Sequence, residues 1–162
     1  MKQLLQVVVV ALLLIAVSYT IFTNVNDEHV SANTENVPLT STTGIQQNLP
    51  TKGNYILNFW ATYCPPCERE MPALASSYKT LQQQQIDLYA INVAEPTKLV
   101  NRYLTKFDLP FPVLLDRQGE LKDNFEIVTL PTTIFIKDGK VIHTVKGEIT
   151  EQQLLELSQK LY

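Results

Sequence analysis

The chain has 162 residues, 45% of them apolar and 18% charged, with a formal net charge of −3 at pH 7. That length suits one ordinary domain plus a targeting segment, and the apolar share excludes a globally disordered chain. Without a basic excess, nucleic acid has no electrostatic support as a partner.

Residues 4–22, LLQVVVVALLLIAVSYTIF, carry no charge. A helix of that length spans roughly 28 Å, close to the ~30 Å hydrocarbon core of a bilayer. Lys2 precedes the stretch, Asp27 and Glu28 follow it, and after it no Lys or Arg occurs until Lys52. The positive-inside rule then puts the amino end in the cytoplasm and the remainder on the extracytoplasmic side. Residues 1–22 read as an uncleaved, single-pass membrane anchor, with 4–22 in the lipid bilayer. A cleaved signal peptide is the alternative, since Val7 to Val17 suits its apolar centre. Against it, no small-x-small site directly follows the run, and Val30-Ser31-Ala32 lies far downstream. Both readings put the rest of the chain outside the cytoplasm.

Residues 23–36, rich in Asn, Thr, Ser and acids, read as a flexible tether, and 37–162 as the folded domain. Tyr55 to Trp60 has the composition of a buried central strand. A helix is predicted from Pro65 to Gln84, with Met71, Leu74, Ala75, Tyr78 and Leu81 on its inner face. Pro72 should kink it. Ile86 to Val93 is a second strand and Thr97 to Phe107 a second helix. Phe111 to Leu115 is a short strand, followed by a brief helix near Glu120 to Phe125. Thr132 to Lys137 and Val141 to Lys146 flank the turn Lys137-Asp138-Gly139-Lys140 and read as a hairpin. Thr150, with Gln153 three residues on, forms a capping box that opens the last helix. Leu154, Leu155, Leu157 and Leu161 line that helix's inner side. This order of elements predicts a mixed central β-sheet with helices on both faces.

The two cysteines of the chain lie together in Cys64-Pro65-Pro66-Cys67. Bridging near neighbours removes little unfolded-state entropy, so reactivity explains the pair better than stability does. The motif falls at a strand-to-helix junction, where unpaired N–H groups and the helix dipole favour a thiolate. Cys64, at the exposed first position, is the expected nucleophile. Cys67, one turn on, is the expected resolving thiol. Pro65 and Pro66 suit a first helical turn. Half of a zinc site is the competing interpretation, but His29 and His143, the histidines of the chain, have no useful spacing. No metal and no cofactor is expected. Glu70, three residues beyond Cys67, lies on the stripe shared by the sulfurs, at the edge of the buried face. A carboxylate there can accept the Cys67 proton or raise the thiol pKa values. Trp60 and Tyr63 flank the motif and are expected to pack while shaping a substrate surface. Glu95 is a weaker candidate for the rim of the site and reads more readily as an exposed loop acid.

The run Asn58-Phe59-Trp60-Ala61-Thr62-Tyr63-Cys64-Pro65-Pro66-Cys67-Glu68-Arg69-Glu70-Met71-Pro72 resembles the active-site stretch of the TlpA/ResA-type thioredoxin-like family. Ala90 to Glu95, Phe111 to Asp116 and Thr129-Leu130-Pro131-Thr132-Thr133 resemble further family segments in the same order. The likeness covers roughly residues 50–162 and is weak over 37–50, where the family's leading hairpin is longer. It implies a thioredoxin-like fold and an extracytoplasmic, membrane-tethered thiol–disulfide oxidoreductase. The implied clients are disulfide- or thiol-bearing proteins such as apocytochrome c, with a membrane thiol carrier as electron donor. It also implies a cis peptide before Pro131, opposite the cysteines, where Leu130 and neighbouring backbone meet substrate, and an active-site role for Glu70. Asn58 stands where thioredoxin has a buried Asp, which makes Glu70 the expected proton acceptor. Two other functions are alternatives. A peroxiredoxin-like peroxidase would need a lone cysteine in a Pro-x-x-x-Thr-x-x-Cys setting, which is missing. A non-catalytic tethered binding module would carry an inert disulfide.

Overall fold

The computed structural model describes residues 3, 6, 12–17, 31–34 and 37–162. The chain divides into two compact units, Met1–Val30 and Ser31–Tyr162. In the first, residues 3, 6 and 12–17 are helical. Among the described residues no helix is long and apolar enough to cross a membrane. The remainder of the segment read as an anchor lies outside the described residues, as do 23–30 and 35–36 of the expected tether.

The second unit begins within the stretch that the sequence marks as tether. Ser31 bridges Lys140, and the Ala32 N–H donates to the Gly139 carbonyl at 2.8 Å. Ala32 and Thr34 are buried, so part of that polar stretch packs on the fold. Next come β1 (Leu39–Ser41) and β2 (Gln46–Gln47), a short leading hairpin. Then follow β3 (Asn54–Trp60), α1 (Pro65–Gln83), β4 (Ile86–Val93), α2 (Thr97–Leu104), β5 (Val113–Asp116) and α3 (Glu120–Asn124). The chain closes with β6 (Thr132–Lys137), β7 (Lys140–Lys146), α4 (Glu151–Ser158) and a 3₁₀ turn, Gln159–Leu161. Among the described residues these strands form one seven-stranded sheet, ordered β2-β1-β5-β4-β3-β6-β7. β3, β4 and β5 run parallel, and the other pairings are antiparallel.

β3 is buried on both faces because alternate side chains enter separate cores. Ile56 and Trp60 join Met71, Leu74 and Leu81 of α1, Val100 and Tyr103 of α2, and Leu154 of α4. Tyr55, Leu57 and Phe59 face the other way, with Leu39, Ile91, Leu121 and Ile127. Helices therefore cover both faces. Thr150 Oγ1 accepts from the Gln153 N–H, completing the capping box. Asp138 and Gly139 both take positive φ, as a two-residue hairpin turn requires.

Two local expectations differ from the structure. The second helix stops at Leu104 rather than Phe107, because the chain tightens into three-residue turns, Tyr103 O to Lys106 N and Leu104 O to Phe107 N. β5 starts at Val113, after Pro112, which has no N–H to give a ladder. α1 is continuous through Pro72.

Candidate active site around Cys64 and Cys67

At the carboxyl end of β3 the chain turns through Ala61, Thr62 and Tyr63 into α1. Cys64 is the N-cap, with extended backbone (φ −103°, ψ 98°), and Pro65 and Pro66 fill the first helical positions. The Cys64 sulfur accepts from the Cys67 N–H at 3.3 Å. One free N–H of the helix end thus points at sulfur, which favours negative charge there. The two sulfurs are bonded at 2.07 Å, with Cα atoms 5.3 Å apart. Cys64, expected at an exposed position, retains only 7% exposure, while Cys67 has none. Access is therefore narrow, and it is on the side of Cys64.

Glu70 lies deeper than the expected edge position: its side chain is buried. Oε1 accepts from Asn58 Nδ2 at 2.8 Å and Oε2 from the Ile149 N–H at 3.0 Å. Burial pushes its pKa from 4.5 up to about 7. The Asn58 and Ile149 hydrogen bonds oppose that rise, and the nearby Glu148 carboxylate adds to it. The group therefore exchanges its proton near neutrality, one helical turn beyond Cys67.

The Leu130–Pro131 peptide is cis. Phe59 pairs with Thr132, so Pro131 stands beside the strand end that carries the cysteine loop. Its carbonyl accepts from the Gly147 N–H at 2.8 Å. Leu130 is half-buried, and Tyr63 is 71% exposed at the rim. Trp60 is a correction. It is completely buried, with its ring 5.3 Å from that of Tyr103. The alternation of β3 turns it into the core with Ile56, so it supports the loop from within and offers no surface to a substrate.

Glu95 is the residue that sequence reasoning misjudged. It is buried, not an exposed loop acid. Its carboxylate accepts from the Thr62 N–H at 2.7 Å, from Thr62 Oγ1 at 2.5 Å and from Asn92 Nδ2 at 2.7 Å. These bonds clamp the β4–α2 loop to the loop that presents Cys64. His143 is half-buried against Phe135, and His29 lies outside the described residues. Among the described residues no group of three or more His, Cys, Asp or Glu side chains is arranged to hold a metal ion.

The AhpC/TSA family matches residues 32–145. The thiol-disulfide oxidoreductase ResA of Bacillus thuringiensis subsp. konkukian is 34% identical over 167 residues, covering 99% of this chain and 96% of that protein. ResA of Geobacillus thermodenitrificans is 35% identical, covering 94% and 92%. Among solved structures, StoA from Bacillus subtilis superposes with a TM-score of 0.66 at 27% identity, covering 77% of this chain and 95% of StoA. A putative thiol:disulfide interchange protein DsbE from Chlorobium tepidum gives a TM-score of 0.71 at 22% identity, covering 82% and 97%, and shares the fold.

Proposed function

The chain belongs to the AhpC/TSA family, among its ResA-like thiol–disulfide oxidoreductases, and from that premise we propose that it reduces disulfides in client proteins outside the cytoplasm. Apocytochrome c, whose cysteines must be thiols for haem attachment, is the leading client. Residues 4–22 tether the protein to the cell membrane, and a membrane thiol carrier resupplies electrons.

The reaction runs in two exchanges. The Cys64 thiolate attacks one sulfur of a client disulfide, forming a mixed disulfide and releasing the other client sulfur as thiolate. Cys67 then passes its proton to the Glu70 carboxylate, and the resulting thiolate attacks the Cys64 sulfur. The second client thiolate leaves, and two electrons have moved to the client. The enzyme is left with the Cys64–Cys67 disulfide, the state recorded in the structure. A donor dithiol reverses these steps on the enzyme, and Glu70 returns its proton. The cis Pro131 presents the adjoining Leu130 backbone to the client chain beside the sulfurs, and Tyr63 contributes rim contact.

The observation that carries this reading is the asymmetry of the pair. Cys64 alone keeps solvent access, at a helix amino terminus, and Cys67 is sealed beneath it, one turn from a carboxylate poised near pH 7. Reduced full-length protein should convert a disulfide-bonded apocytochrome c peptide to dithiol, and Cys64→Ser should not. Equal inactivity of both proteins would instead favour the inert-disulfide binding module. Equilibration with glutathione tests direction: a potential well below the glutathione couple fits a reductant, and one above it contradicts the reading.

A further inference from the structure

Asn58 occupies the middle of a buried polar chain that links β3 to α1 and β6. Its Nδ2 donates to Glu70 Oε1 at 2.8 Å and to Thr133 Oγ1 at 3.0 Å. It therefore ties α1 to β6, two residues beyond Pro131. Asn58, Glu70 and Thr133 are all buried. Asn58 Oδ1 is also buried and has no hydrogen-bond partner among the described residues. A sealed acceptor without a donor is costly and uncommon, and asks for an explanation.

We propose that the Asn58 carboxamide is a two-position switch: it donates to Glu70 and Thr133 while Glu70 is ionised, and turns over to accept from both once Glu70 holds a proton. The inference rests on Glu70 as acceptor of the Cys67 proton, and makes Asn58 the positioning residue for that transfer. A carboxamide has two N–H donors at one end and two lone pairs at the other. Turning it over puts Oδ1 where Nδ2 stood, within reach of the same two partners. The new Glu70 O–H donates to one lone pair, and the Thr133 hydroxyl rotates to donate to the other. Both contacts survive with donor and acceptor exchanged. Nδ2 then takes the unpartnered position, so each state leaves one amide atom unpaired.

The surroundings hold the rest of the site fixed during this change. Ile149 N–H binds the other Glu70 oxygen from the β7–α4 loop. Glu148, in that same loop, favours the protonated form and is itself paired with Arg69 of α1 at 2.7 Å. β3 and β6 present the uncharged Asn58 and Thr133 to Glu70's side of the network, and α1 presents Cys67 as the proton source. An ionised aspartate at position 58 could not donate, and a leucine could neither donate nor accept.

Nuclear magnetic resonance on the full-length reduced protein tests this directly, following the Asn58 side-chain amide and the Glu70 carboxyl carbon across neutral pH. The switch requires close contacts between the Nδ2 protons and the Thr133 side chain at high pH, lost on the midpoint of the Glu70 carbon. Contacts that persist on both sides of that midpoint overturn it. Variants give a second arm. Asn58→Asp should lower the exchange rate at neutral pH about tenfold for each pH unit by which the Glu70 midpoint rises, with recovery at higher pH. Thr133→Ser should restore the profile that Thr133→Val disturbs. If Glu70→Gln alters the pH–rate profile and Asn58→Asp leaves it as in the wild type, the switch fails and Glu70's role stands. If Glu70→Gln itself changes nothing, the reading of Glu70 fails and the switch goes with it.

Discussion

Replacing Glu70 by Gln removes a titration that opposes the fold at neutral pH, so the variant should gain stability over the wild type as pH rises. Folding raises the Glu70 pKa from 4.5 to about 7. Between those values the native state holds a proton that the unfolded chain has released. Stability therefore falls as pH climbs through that window, and the loss is complete above the native value. At about 1.4 kcal/mol per pH unit, the full span amounts to on the order of 3 kcal/mol. Below the unfolded value Glu70 is neutral in both states, and the two proteins should differ only by how well Gln packs. The assay is denaturant unfolding of the oxidised proteins at a series of pH values from about 4 to about 8, with thiol titration removed by the disulfide. His143 has its pKa lowered by burial and by Lys160. It contributes equally to both proteins and cancels in their difference. A difference that stays constant with pH would refute the buried, high-pKa assignment of Glu70.

Three further outcomes follow from the same geometry. Glu95→Ala should cost about 2–4 kcal/mol in denaturant unfolding, because it leaves the Thr62 N–H and the Asn92 amide without their acceptor. Trp60→Ala should cost about 3–5 kcal/mol through the cavity it opens, read as a drop in the unfolding midpoint, whereas Tyr63→Ala should leave stability within about 0.5 kcal/mol. Thiol–disulfide exchange by the wild type should rise with pH through about 7, and Glu70→Gln should slow it at least about tenfold at neutral pH in stopped-flow assays with a peptide disulfide.

Much of the fold was legible because periodicity reports burial. The apolar run of β3 and the helical spacing of Met71, Leu74 and Leu81 each describe a surface that must face a core, and both lie where expected. The redox pair was legible because two cysteines at helical spacing leave few other uses. What stayed hidden was set by contacts distant in sequence. Glu95 looks like any loop acid until Thr62, 33 positions earlier, is brought against it. The Asn58 bond to Thr133 spans 75 positions. Trp60 misled for a different reason. Proximity to the motif suggested that its packing also shaped a substrate surface, yet β3 is buried on both faces and leaves the ring no way out.

The claim on which the rest depends is that Cys64 attacks and Cys67 releases. Full-length Cys67→Ser, incubated with a disulfide-bonded client peptide and mapped by mass spectrometry, should accumulate a mixed disulfide on Cys64, and Cys64→Ser should accumulate none through Cys67. Adducts on Cys67 in the Cys64→Ser protein at a comparable rate, or no adduct in either variant, would contradict the account.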